Sequence, residues 1–222
     1  MNRKFIEFLV KNDVLKFGDF TLKSGRKSPY FINMGMLNSG KTSYELGVFF
    51  AQKMKKELGD DFDTVYGPAY KGIPLAVSVS IGMHKKLKME KTWLFDRKEM
   101  KEHGDKSAFV GDGPRELQKL VMVDDVMTTG GTKEEAIAKL KSAANVQLKG
   151  IFIAVDREEK GKEKNAIKEF EELTGVKVYA IEKISSVFKY LHNREINGKM
   201  HVDDALFASF REYQKQYGAR YV

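Results

Sequence analysis

Apolar runs alternate with mixed stretches through the middle of this chain. Runs at 64–66, 92–95, 119–123, 150–155 and 176–181 are apolar almost throughout. That pattern predicts strands buried on both faces. Between them, 73–85, 133–142 and 163–174 carry apolar residues three and four apart, which predicts helices. Strand–helix alternation predicts an α/β domain with a parallel sheet covered on both faces. The first part of the chain is different. A short amphipathic helix is expected over 5–15, with Phe5, Phe8 and Leu9 on one stripe. Two short extended stretches, 19–22 and 30–33, flank a Lys-Ser-Gly-Arg-Lys-Ser-Pro loop and predict a hairpin. A helix follows at 42–58, with Leu46, Phe49, Phe50 and Met54 inward and Gly59 just past its end. The stretch 96–115 breaks the rhythm. It is long, charged and glycine-containing, and loops of that length in compact domains often act as lids.

In an open parallel sheet, ligands bind past the carboxyl ends of the strands. Three informative segments fall there. The run 119–123 ends in Asp124 and Asp125, followed by Val126, Met127, Thr128, Thr129, Gly130, Gly131, Thr132 and a predicted helix. Such a turn points backbone N–H groups, hydroxyls and a helix N-terminus at an anion. The two carboxylates suit sugar hydroxyls or a metal instead. Together they fit a ribose 5-phosphate. The second segment, 67–72, is Gly-Pro-Ala-Tyr-Lys-Gly. It allows a tight anion-facing loop with Lys71 as a point charge. The third is Asp156-Arg157.

With 222 residues, 42% of them hydrophobic, a single domain spanning 1–222 is expected. Cysteine is absent, which excludes a disulfide framework and a thiolate zinc site. No apolar run reaches transmembrane length and the N-terminal stretch carries Glu7 early. The chain therefore reads as soluble and cytoplasmic, with no membrane partner. The net charge of +8 points to anionic partners. Its lysines are interleaved with acids, and no RNA-recognition motif, zinc finger or helix-turn-helix is visible, which argues for phosphorylated metabolites over nucleic acid.

The 120–132 segment resembles the phosphoribosyl pyrophosphate signature of type I phosphoribosyltransferases. Segments 14–33, 67–74 and 97–104 (Arg-Lys-Glu-Met-Lys-Glu-His-Gly) narrow the resemblance to the orotate phosphoribosyltransferases. Asp156-Arg157 with Gly161 adds to it. The resemblance implies a five-stranded parallel sheet flanked by helices, with a small hood built mainly from about 1–40 and a flexible catalytic loop over about 96–115. It implies that phosphoribosyl pyrophosphate is bound by Lys23, Tyr70, Lys71, Arg97, Lys98, Lys101, His103, Asp124, Asp125 and 126–132. Orotate would meet Phe31, Ile32, Thr128 and Arg157. The catalytic set would be Lys101, His103, Asp124 and Asp125. Ile32 departs from a position often aromatic in the family. The resemblance further implies Mg²⁺ held mainly through substrate and water, without dedicated protein ligands. It implies a homodimer in which Arg97, Lys101 and His103 reach the neighbouring subunit's site.

One motif competes. Residues 35–42 satisfy G-x-x-x-x-G-K-[ST], the pattern of a phosphate-binding P-loop, so an ATP-dependent kinase is an alternative. Against it, the preceding stretch 30–33 is short and mixed, unlike a central strand. Lys41 is accordingly expected in the first turn of the 42–58 helix. A third alternative keeps the phosphoribosyltransferase fold as a nucleic-acid-binding regulator. The match at 97–104 and the lack of an added DNA-binding module argue against that.

Overall fold

A computed structural model describes residues 1–22, 25–99, 108–127 and 130–219 of the chain. Its centre is a six-stranded sheet. Strands β3 (Thr64–Tyr66), β4 (Thr92–Asp96), β6 (Lys119–Val126), β7 (Gln147–Asp156) and β8 (Val178–Lys183) are parallel, and β5 (Phe109–Gly111) lies antiparallel at the edge. The order is β5-β4-β3-β6-β7-β8. The five expected strands are all present; the sixth corrects the count. β5 escapes a periodicity reading because it has three residues inside a charged segment.

Helices α3 (Gly72–Gly82), α4 (Gly131–Ala143) and α5 (Ala166–Thr174) make the crossovers. Side chains along β6 divide between two cores, as strand geometry requires. Leu120 and Met122 join Ile137, Leu140 and Phe170 under α4 and α5. Val121 and Val123 join the larger core on the other face. That face is covered by α1 (Arg3–Lys11), α2 (Gly40–Leu58), α3 and α6 (Ile184–Leu191). Ends are set by local chemistry. Ser39 caps α2 in a reciprocal box with Thr42, and Gly59 closes it at φ +64°. Asn165 accepts from the N–H groups of Ile167 and Lys168 at 3.0 and 3.1 Å, so α5 starts three residues later than its periodicity suggests.

The N-terminal hairpin pairs β1 (Leu15–Thr21) with β2 (Lys27–Ile32) and stands apart from the main sheet. Its buried Tyr30 is surrounded edge-to-face by Phe188 of α6 and by Phe210 and Tyr213 of α7 (Asp204–Tyr217), with ring centroids 5.7–6.3 Å away. A second small hairpin, β9 (Glu195–Ile196) with β10 (Lys199–Met200), joins α6 to α7. Among the described residues no helix is long and apolar enough to cross a membrane.

Candidate active site

The site begins where three parallel strands stop. After β3, Gly67 and Gly72 close a loop so tightly that a Cβ on Gly67 would fall 2.0 Å from the Gly72 carbonyl oxygen. Only glycine fits there. The loop carries Tyr70, 70% exposed, and Lys71. At the carboxyl end of β6, Asp124 and Asp125 each accept a hydrogen bond from the next backbone N–H, both at 2.8 Å. Lys71 Nζ lies 3.3 Å from Asp125 Oδ2. The two loops therefore face each other across one space, and a cavity of about 380 Å³ opens beside Lys71 and Asp125, walled by Leu37, Leu46, Phe50 and Leu75.

Gly130 has φ +85°, and a Cβ there would strike the Phe170 ring at 2.6 Å. α4 starts immediately after, and no side chain among the described residues caps it. Gly131 and Thr132 thus open α4 with backbone N–H groups that a helix leaves unpaired within itself, an arrangement that suits an anion. Val126 completes β6 and Met127 is buried under α4. Thr128 and Thr129 lie outside the described residues, as do Lys23, Lys101 and His103. Arg97 and Lys98 follow β4, and the Arg97 N–H donates to the Ala108 carbonyl at 2.8 Å.

The hood places Phe31, 40% exposed, beside Phe20, with centroids 5.8 Å apart. Ile32 pairs with Leu15 and packs against the large core. Arg157, just past β7, is mostly buried. Its Nε and Nη2 meet Glu159 Oε1 at 2.9 and 2.6 Å, and its guanidinium lies over the Tyr30 ring at 5.3 Å. Tyr213 donates to the same Glu159 oxygen at 2.7 Å.

Four residues that support the site carry no role legible in the sequence motifs: Asp96, Lys133, Lys139 and Glu159. Lys133 is 3% exposed and reaches Asp124 Oδ2 at 2.5 Å and the Val126 carbonyl at 3.0 Å. Burial pushes the Asp124 carboxyl above its ordinary range, and the Lys133 charge counters that push. A signal for this pair existed in the sequence. Lys133 falls in the first turn of α4, where the helix dipole disfavours a cation, so it needs a carboxylate partner. Asp96 gave no such signal.

The P-loop alternative is not supported by the local structure. Residues Met34–Met36 form a 3-10 turn, and the strand before it belongs to the separate hairpin. Lys41 is an exposed first-turn residue of α2, as expected.

A parallel sheet with two glycine-shaped loops and paired carboxylates at its carboxyl edge is the layout of a phosphoribosyltransferase, and the family model for the phosphoribosyl transferase domain matches residues 34–181. Over the full length the chain is 44% identical to an orotate phosphoribosyltransferase of Agathobacter rectalis, across 98% of this chain and 97% of that one. It is 42% identical to an orotate phosphoribosyltransferase of Clostridium acetobutylicum, across 98% of both. The crystal structure of orotate phosphoribosyltransferase from Francisella tularensis superposes with a TM-score of 0.83 at 37% identity, covering 97% of this chain and 100% of that one. The chain belongs to the orotate phosphoribosyltransferase family.

Proposed function

We propose that the chain transfers the ribose 5-phosphate group of phosphoribosyl pyrophosphate to orotate, giving orotidine 5′-monophosphate and pyrophosphate in de novo pyrimidine synthesis. The observation that carries this reading is the meeting of Lys71 with Asp125. It brings a cationic loop and a ribose-type carboxylate pair to opposite sides of one space.

Chemistry at an anomeric carbon passes through a transition state with positive charge on the sugar ring. Asp124 and Asp125 accept hydrogen bonds from the ribose hydroxyls and, as anions, favour that charge. Lys133 keeps Asp124 aligned and compensated. Thr128–Thr132 and the start of α4 hold the 5-phosphate. Tyr70 and Lys71, with Arg97, Lys98, Lys101 and His103, meet the pyrophosphate, whose charge grows as it leaves. Lys23 meets phosphoribosyl pyrophosphate, and Phe31, Ile32, Thr128 and Arg157 hold orotate, the arginine facing its carboxylate. No covalent nucleophile is required; positioning and charge do the work.

The donors present also fit Mg²⁺: adjacent carboxylate oxygens, with Asp125 partly open to solvent. That sparse oxygen set suits an ion whose shell is completed mainly by substrate and water. When bound, Mg²⁺ neutralises charge on the pyrophosphate. The working form is a cytoplasmic homodimer in which Arg97, Lys101 and His103 serve the neighbouring subunit's site. Nucleic acid is not a partner.

The test is an assay of the pure protein with phosphoribosyl pyrophosphate, Mg²⁺ and, in turn, orotate, uracil, adenine and hypoxanthine. Orotate should be consumed and the purines left. Faster turnover of adenine or uracil than of orotate would sink the assignment.

A further inference from the structure

At the end of β4, Asp96 is 3% exposed and joins three parts of the site. Its Oδ1 accepts from the Ala69 N–H at 2.9 Å and from the Tyr66 hydroxyl at 3.1 Å. Its Oδ2 meets Lys139 Nζ of α4 at 2.8 Å. Ala69 immediately precedes Tyr70 and Lys71, so this one contact ties down the middle of the 67–72 loop. Lys139 lies on the helix whose start faces the 5-phosphate position. The next residue, Arg97, begins the cationic segment.

A fully buried carboxylate is costly unless its oxygens are matched. Burial alone would raise the Asp96 carboxyl. Lys139 and the Ala69 N–H more than offset it and hold the group below its usual range. The acid is therefore ionised at neutral pH, with its hydrogen bonds going to the loop and to the anchoring lysine. A loop fixed before the ligand arrives spares the ordering cost on binding.

We propose that Asp96 is a positioning residue for pyrophosphate recognition. Anchored by Lys139, it holds the backbone at Ala69 so that Tyr70 and Lys71 are preset for the pyrophosphate group. The inference rests on the assignment of 67–72 as the pyrophosphate loop. It predicts an effect confined to pyrophosphate-bearing ligands, which a general stabilising role would not show.

The experiment compares wild type, Asp96→Ala, Asp96→Asn and Lys139→Met. Calorimetry measures binding of phosphoribosyl pyrophosphate and, separately, of orotidine 5′-monophosphate, which lacks the pyrophosphate. Thermal unfolding checks that each variant is folded. Misplacing a binding loop costs about tenfold or more. Asp96→Ala should weaken phosphoribosyl pyrophosphate by that factor and leave orotidine 5′-monophosphate within about twofold. Asp96→Asn keeps an oxygen for the Ala69 N–H and should recover most of the affinity. Lys139→Met frees the carboxylate from its anchor and should fall between. Equal losses for both ligands overturn the proposal, as does a folded Asp96→Ala with unchanged affinity. If Asp96→Ala does not fold, a Lys139→Met variant that binds both ligands like wild type also overturns it. Wild type that binds neither ligand would defeat the functional assignment instead.

Discussion

The floor of the site and the hood above it are held by different means. On the floor, Asp124, Asp125 and Lys71 sit where strands buried on both faces run out, and they are set by charge: Lys133 on Asp124, Lys71 on Asp125, Lys139 on Asp96. In the hood, Phe31 and Ile32 sit on a two-stranded ribbon that has no strand neighbour in the main sheet. A lone hairpin is at best marginal in water. This one depends on aromatic packing of Tyr30 and Phe17 against Phe188, Phe210 and Tyr213, which come from the far end of the chain. On the proposed function, the floor is the region that holds the part of the substrate charged in every phosphoribosyl transfer. On the same proposal the hood is the region that meets the base, which distinguishes one such reaction from another. Charge pairs such as the buried Lys133–Asp124 suit the first task, and a separately packed cover suits the second.

The largest expected effect comes from breaking the floor. Asp125→Asn should cut turnover on the order of 100-fold or more, since it removes an anion facing the transition-state charge. Lys101→Ala, which removes a cation from the leaving group, should cost a similar factor. The two defects differ in one respect. In a two-fold dimer with crossed loops, a mixed dimer of these variants rebuilds one intact site from the good floor of the Lys101→Ala chain and the good loop of the other. Random remixing makes about half of the dimers mixed, each with one of two sites working, so activity should return to about a quarter of wild type. Mass spectrometry of tagged chains verifies the mixing. Mixed dimers as inactive as their parents would mean that each loop serves its own subunit.

A smaller and more selective effect should follow from loosening the hood. Glu159 joins Arg157 to Tyr213 of α7 and, at 3.7 Å, to Arg26 of the hairpin loop. Glu159→Gln keeps the shape and removes the charge that orients the guanidinium. Hydrogen bonds to charged groups are worth about 1.5–3 kcal/mol, so KM for orotate should rise about tenfold. KM for phosphoribosyl pyrophosphate should stay within about twofold, because the floor is untouched. Steady-state kinetics with each substrate varied in turn reads this directly. Equal changes in both constants would show that floor and hood are not separable.

The same contrast explains what could be read from the chain. The floor was legible because its strands are continuous apolar runs and its loops carry glycines and acids in fixed order. The parallel strands and the placement of 67–72, 124–127 and Asp156-Arg157 at their carboxyl ends all agree with the structure. The partners of that floor were less visible. Asp96 and Lys139 are 43 positions apart, and nothing local marks either. The hood was legible as a hairpin but not in its support. Tyr30 meets α7 across nearly the whole chain, and α6 and α7 are amphipathic helices whose partners no local pattern names.

The smallest expected effect tests the boundary between the two regions. Lys41 lies at the junction of hood and α2, in a stretch that reads as a nucleotide-binding loop. A P-loop lysine works because the loop leaves a central parallel strand and wraps its N–H groups around a phosphate. Here the stretch leaves the edge of a separate hairpin, turns through Met34–Met36, and enters a helix already capped by Ser39. The cap takes the Thr42 N–H, one of the donors a phosphate would need. Lys41 itself is exposed. Lys41→Ala should therefore leave phosphoribosyl transfer within about twofold of wild type, as expected for a surface substitution away from special features. Steady-state assay with orotate, and a parallel assay for ATP hydrolysis, check the two sides of this expectation. ATP hydrolysis that is present in wild type and lost in Lys41→Ala would restore the kinase reading and move the centre of the site from the sheet edge to the hood.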